Sequence, residues 1–134
     1  MADISPLLLY VEDDRQQRML LAAVLEQAGF RVRTAGCARD AVELAAQETF
    51  DAVIVDYDLP DMTGAQLAQE IRAFEPSAKI VLLTGWPDLP PGELVYIDIH
   101  VVKGSLTEKL IEVVYTLMDA RKQSAAAASG YYYA

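Results

Sequence analysis

Four short strand-like runs in this sequence each end on a residue able to do chemistry. LLLYV runs into Glu12, Asp13 and Asp14, VIV into Asp56, VLL into Thr84, and HVV into Lys103. A carboxylate at the end of a buried strand is costly unless something neutralises or uses it. If the four runs are parallel neighbours, their carboxyl ends share one rim, the place where open α/β sheets bind ligands. Carboxylates about 4 Å apart repel by roughly 4 kcal/mol per pair at an effective dielectric of about 20. A hard cation removes that penalty. An all-oxygen donor set suits Mg2+, which usually shares its coordination with phosphate oxygens. Lys103 and Thr84 would then hold the remaining phosphate oxygens. The chemistry open to this set is phosphoryl transfer, with Asp56 as acceptor.

The intervening segments must bring these ends together. Residues 7–11 form a continuous apolar run, the pattern of a strand buried on both faces. From 15 to 28 the apolar residues Met19, Leu20, Ala23, Val24 and Ala28 recur at helical spacing, and Gly29 stands where a C-cap is expected. Residues 30–35 alternate apolar and polar, as in a half-exposed strand, and 39–48 read as a helix. Residues 52–56 are a third strand. A helix over 65–74 follows, carrying Leu67, Ile71 and Phe74 and ended by Pro76. Strands over 79–84 and 97–102 and a helix over 107–121, with Leu110, Val113, Val114, Leu117 and Met118, complete the chain. This alternation predicts an α/β fold with a doubly wound parallel sheet. One segment breaks it. Between Thr84 and Ile97 the sequence GWPDLPPGELVY holds three prolines and two glycines, leaving room for a single turn where a fourth crossover helix belongs.

Composition narrows the function classes. At 134 residues, 53% hydrophobic and 23% charged, the chain is sized for one folded domain. A net charge of −9 with no Lys/Arg-rich run argues against nucleic acid or an anionic membrane as partner. The sole cysteine, Cys37, excludes an internal disulfide and reads as a buried structural thiol in a small-residue stretch. With no signal core and no bilayer-length apolar run, a cytoplasmic location is expected. After Lys122 the sequence QSAAAASGYYYA reads as an extension of the last helix and a disordered tail, with no function derivable for tyrosines 131–133.

Taken together, Glu12-Asp13 after LLLYV, Asp56 in VIVDYDLPDMTG, Thr84-Gly85 in VLLTG and Lys103 in HVVKG resemble the response-regulator receiver domain of two-component signalling, over about residues 6–121. The resemblance implies a flavodoxin-like, five-stranded parallel sheet of order 2-1-3-4-5, here with its fourth helix short or absent. It implies a receiver domain over 1–121 and a tail over 122–134. Asp56 would be the phosphoacceptor, taking its phosphoryl group from a sensor histidine kinase or a histidine phosphotransfer protein. Asp13 and Asp56 would ligate Mg2+ directly, Glu12 through water, and Asp58 through its backbone carbonyl. Thr84 and Lys103 would contact the phosphoryl group, and Thr84 would move toward it as an aromatic residue on strand five rotates inward. Output would pass through contact with a downstream protein. The chain would accept and lose a phosphoryl group without being an enzyme in the multiple-turnover sense.

Three departures from that family stand out. His100 occupies the switch position usually held by Tyr or Phe, and histidine can titrate near neutrality. Gly104 follows Lys103 where a cis proline is usual, so a trans, more mobile loop is expected. The eroded segment before strand five implies an unusual partner surface. Asp58 and Trp86 occupy positions that tune dephosphorylation in the family; the plainer reading of Trp86 is packing over the eroded segment. Asp14 reads as a helix N-cap and Asp61 as a turn residue. Two rivals remain open. Asp56-Tyr57-Asp58 also resembles the DxD motif of haloacid-dehalogenase-like phosphatases, although Pro60 and the early acidic pair depart from it. A receiver-like scaffold independent of phosphorylation is the other.

Overall fold

The computed structural model describes residues 5–104 and 107–119. Five parallel strands, β1 (Leu7–Val11), β2 (Arg31–Ala35), β3 (Ala52–Asp56), β4 (Ile80–Thr84) and β5 (Ile99–Val102), lie in the order β2-β1-β3-β4-β5. Four helices connect or follow them: α1 (Arg15–Gln27), α2 (Ala38–Gln47), α3 (Gly64–Phe74) and α4 (Thr107–Asp119). This is the expected doubly wound α/β sheet. The readings of residues 122–134, and of the last two residues of the expected final helix, fall outside the described residues.

β1, β3 and β4 are buried at every position because helices cover both of their faces. On one face Leu9, Val55, Leu82 and their neighbours pack with Leu67 and Ile71 of α3 and the alanines of α2. On the other, Leu8, Ile54, Val81 and Val101 pack with Leu25 of α1 and with Leu110, Val113, Val114 and Leu117 of α4. The edge strands β2 and β5 are only partly buried.

The helical period of α1 is right in its existence and wrong in its phase. Ala22 and Leu25 are its buried residues, flanked by the partly buried Leu21 and Ala28, while Met19 and Leu20 are 60% and 69% exposed. The sequence offers two apolar stripes on one helix, and the sheet selects the one in line with Leu25. Phe74, at the end of α3, is likewise exposed. Cys37 is half-buried rather than buried. It occupies the N-cap of α2 without a side-chain cap bond, and the buried sites around it go to Ala35 and Ala38.

The segment after β4 forms only a single 3-10 turn, Pro91–Leu94, as the prolines dictate. Leu89, Leu94, Tyr96 and Ile97 pack from it onto the α2–α3 side of the core. Arg72 of α3 anchors it, donating to the carbonyls of Tyr96, Pro76 and Ala78 and to the Asp98 carboxylate. Asp98 also accepts from the Ile80 amide at 2.7 Å. The Asp98 amide in turn donates to the Ile80 carbonyl at 2.9 Å, and β5 begins at Ile99, two residues later than the apolar pattern indicates.

Candidate functional site

The sheet order reverses between β1 and β3, and the crevice outside their carboxyl ends is where doubly wound sheets bind ligands. Register places the site residues there. Val11 pairs with Val55, so Glu12 and Asp56 leave adjacent strands at the same level. Asp56 in turn pairs with Leu83, one residue before Thr84, and Thr84 pairs with Val102, one residue before Lys103. All four chain positions named from the sequence therefore converge on one rim.

Glu12, Asp56 and Thr84 are the buried polar residues of the described chain, each no more than 3% exposed. Carboxylate oxygens of Glu12, Asp13 and Asp56 lie within 4.8 Å of one another. Lys103 Nζ stands 3.0 Å from Asp56 Oδ1 and 3.3 Å from Glu12 Oε1. The ion pair with Lys103 is the contact of the buried Asp56 Oδ1, which makes no further hydrogen bond among the described residues. Buried carboxylates are costly unless their charge is compensated, and one lysine is shared here between two of them. Three convergent carboxylates facing one lysine carry an excess of negative charge, which fits a small hard cation. The donor set contains no nitrogen or sulfur, which suits Mg2+.

Electrostatics agree with the crowding. Burial, followed by the neighbouring Asp56 carboxylate, pushes Glu12 up to about 7, and Lys103 only partly offsets this. Lys103 is raised in turn: burial opposes its charge, and its contacts with Asp56 and Glu12 outweigh that. Burial and the same carboxylates raise the Tyr10 phenol beneath the site.

Local structure holds each group. Asp14 caps α1, its carboxylate accepting from the Gln17 amide at 3.0 Å, as expected. Asp13 is exposed beside it. The backbone of Asp58 is fixed by an antiparallel bridge to Thr63, which begins α3 with a capping box completed by Gln66. The Thr84 hydroxyl accepts from the Trp86 amide at 3.0 Å. The Trp86 indole is 59% exposed, so the expected packing over the eroded segment is made by Leu89, Leu94, Tyr96 and Ile97 instead. His100, half-buried on β5, has Nε2 enclosed with no hydrogen-bond partner among the described residues. It alternates with Ile99 and Val101 and so points to the sheet face that the 3-10 segment covers. Gly104 has φ +93°, a conformation that favours glycine, and no described peptide is cis, in line with the trans loop expected there.

Three contributors escape a reading of the sequence. Asp61 is more than a turn residue: its two carboxylate oxygens accept from the amides of Ala38 and Arg39 at 2.9 and 3.0 Å. It thus caps α2 from the loop after β3, and those bonds hold its carboxyl below the usual range. Gly64 lies against the acceptor strand, where a Cβ would overlap the Asp56 carbonyl oxygen. Arg18 reaches back from α1 to the carbonyls of Glu12 and Asp13.

Known proteins are similar to this chain in sequence and fold. The response regulator receiver protein CpdR of Brucella abortus is 33% identical over 79 residues, 59% of this chain and 66% of CpdR. The C4-dicarboxylate transport transcriptional regulatory protein DctD of Rhizobium meliloti is 33% identical over 86 residues, 64% of this chain but 19% of DctD. The chain thus spans just under two thirds of CpdR and a fifth of DctD. Among solved structures, response regulator TrrA from Thermotoga maritima, in complex with Mg(2+)-BeF, superposes with a TM-score of 0.77 at 32% identity, covering 84% of this chain and 98% of TrrA. A CheY-like receiver domain from Methylobacillus flagellatus gives 0.78 at 26%, over 84% and 98% of the two chains. The family model described as "Response regulator receiver domain" matches residues 8–114, and with the fold and the four strand ends in agreement, the chain belongs to that family.

Proposed function

We propose that this receiver domain is a phosphoryl acceptor in a two-component phosphorelay, with Asp56 the acceptor and Mg2+ the required cation. The observation that carries the reading is the buried Asp56 carboxylate, its Oδ1 3.0 Å from Lys103 Nζ and its oxygens grouped with those of Glu12 and Asp13. That TrrA is found with Mg(2+)-BeF supports the choice of cation. An Asp56 carboxylate oxygen attacks the phosphorus of a phosphohistidine on a kinase or phosphotransfer protein. The new O–P bond forms as the P–N bond breaks, and the departing imidazole takes up a proton. Asp13 and Asp56 would hold the cation, with the Asp58 carbonyl, and Glu12 would act on it through water. When bound, Mg2+ neutralises charge on the transferring phosphoryl oxygens. Lys103 pairs with one of those oxygens, and the Thr84 hydroxyl donates to another.

The phosphorylated domain then acts through contact with a downstream protein, in the cytoplasm, as a stoichiometric acceptor and not a turnover catalyst. Incubation with a small-molecule phosphodonor and Mg2+ tests this. A single hydroxylamine-labile adduct is expected, lost in Asp56→Asn. Sustained phosphoester turnover would favour a phosphatase of the DxD type, and partner binding untouched by Asp56→Ala would favour a scaffold.

A further inference from the structure

Arg18 sits at the fourth helical position of α1, a poor place for a cation. The N-terminal end of a helix carries the positive end of its dipole, and the first turn of α1 has no acidic residue to compensate. Its guanidinium turns back over the helix start instead. Nη1 donates to the Glu12 carbonyl at 2.8 Å and to the Asp13 carbonyl at 3.2 Å. Gly36, at the end of β2, provides the room: a Cβ there would come within 3.1 Å of the same nitrogen. From the other side the Glu12 amide donates to the Ala35 carbonyl at 3.0 Å. The two residues that carry the loop carboxylates are therefore clamped through their backbones, between β2 and one arginine nitrogen.

We infer that Arg18 is a positioning residue for the divalent-cation site, holding Glu12 and Asp13 so that their carboxylates converge on Asp56. The inference rests on the Mg2+-dependent reading above. Residues 12 and 13 lie between β1 and α1, outside strand and helix, so releasing their carbonyls frees the backbone rotations that aim the Asp13 side chain. Simple electrostatics predicts the opposite effect. A guanidinium near a cation site repels the cation, so a bystander arginine would weaken binding and its removal would strengthen it. The sign of the change separates the two accounts.

The test is Mg2+ titration of the full chain by calorimetry, with Asp13→Asn as the reference for a lost ligand. Arg18→Met is expected to weaken Mg2+ binding about tenfold, the scale seen when a residue supporting a ligand is removed. Arg18→Lys keeps the charge and loses the planar fork, so it should restore only part of the loss. Gly36→Ala keeps the arginine and presses its methyl on Nη1, so a smaller weakening of about twofold to fivefold is expected even if Arg18→Met fails to fold. Unchanged or tighter Mg2+ binding in the Arg18 and Gly36 variants would overturn the positioning role while leaving the phosphoryl-acceptor reading intact. A wild-type chain that takes up no Mg2+ would defeat both.

Discussion

Lys103 Nζ lies 3.0 Å from Asp56 Oδ1, reaching across from the end of β5 over the intervening strand β4 to a carboxylate that is 3% exposed. Among the described residues this lysine is the cation in contact with both buried carboxylates of the rim. Lys103→Met should therefore destabilise the metal-free chain by about 1–3 kcal/mol, less than a fully buried broken pair because the lysine is 35% exposed. Mg2+ supplies positive charge at the same place and should recover part of that loss. Thermal unfolding with and without Mg2+ reads the difference; a deficit that Mg2+ leaves unchanged would show that the lysine's role is not charge compensation.

The raised Glu12 pKa makes both stability and metal binding depend on pH. Its folded value, about 7, lies above the ordinary 4.5 that it has unfolded, so the folded state binds the extra proton between them. The stability from Glu12 is fully present below about pH 4.5 and is lost as pH rises through about 7. Lys103 is raised as well, but its contribution is lost only in strongly alkaline solution, outside this window. A metal needs the carboxylate, so Mg2+ affinity should climb by up to about tenfold per pH unit toward pH 7 and level off above it. Titrations between pH 5.5 and 8.5 on the wild type and on Glu12→Gln check this. A variant that keeps the full pH slope would assign the proton elsewhere.

Asp61 gives a prediction away from the rim. Its carboxylate accepts from the Ala38 and Arg39 amides, two donors that would otherwise lack partners at the start of α2. Asp61→Ala should cost about 1 kcal/mol, the usual loss for a helix cap, and Asp61→Asn less. Because the folded carboxyl titrates below its ordinary 3.8, the contribution is present above that value and is lost as pH falls through the lower folded one. Chemical denaturation of both variants at pH 7 and pH 3 measures it. Equal deficits in Asp61→Ala at the two pH values would mean that the charge is not what caps α2.

The contrast between Asp56 and Asp61 shows what could be read from the residues alone. Short continuous apolar runs mark the buried strands, and each run ended on a polar residue, so parallel pairing alone put Asp56, Glu12, Thr84 and Lys103 on one rim. The missing crossover helix was equally legible, because proline lacks the amide a helix needs. Asp61 was not. Its partners are 22 and 23 residues away, and no local pattern marks a carboxylate that caps another segment's helix. The phase of α1 failed for a related reason: Met19 and Leu20 compete with Leu21 and Leu25 on a helix rich in apolar residues, and only the sheet decides between them. Cys37 misled because a run of small residues looks the same in a core strand and in a tight β2–α2 turn.

Gly64 ties the acceptor to α3 through space that only a missing side chain provides. It is the first residue of α3, its amide donates to the Tyr57 carbonyl at 2.7 Å, and a Cβ would overlap the Asp56 carbonyl and stand 2.9 Å from Leu82 Cδ1. The obstructing atoms are backbone and a packed core side chain, neither free to swing aside. Gly64→Ala should therefore push α3 away from β3 at a cost of about 2–4 kcal/mol, lowering the thermal midpoint by roughly 10 °C. Phosphodonor labelling of the folded fraction should slow as well, because Asp56 shifts with its carbonyl. Gly92→Ala is the control, since nothing lies within 4 Å of a Cβ in the 3-10 turn, and its stability should match wild type within about 0.5 kcal/mol. A Gly64→Ala chain as stable as Gly92→Ala would mean that the close approach of α3 to the acceptor strand is not rigid.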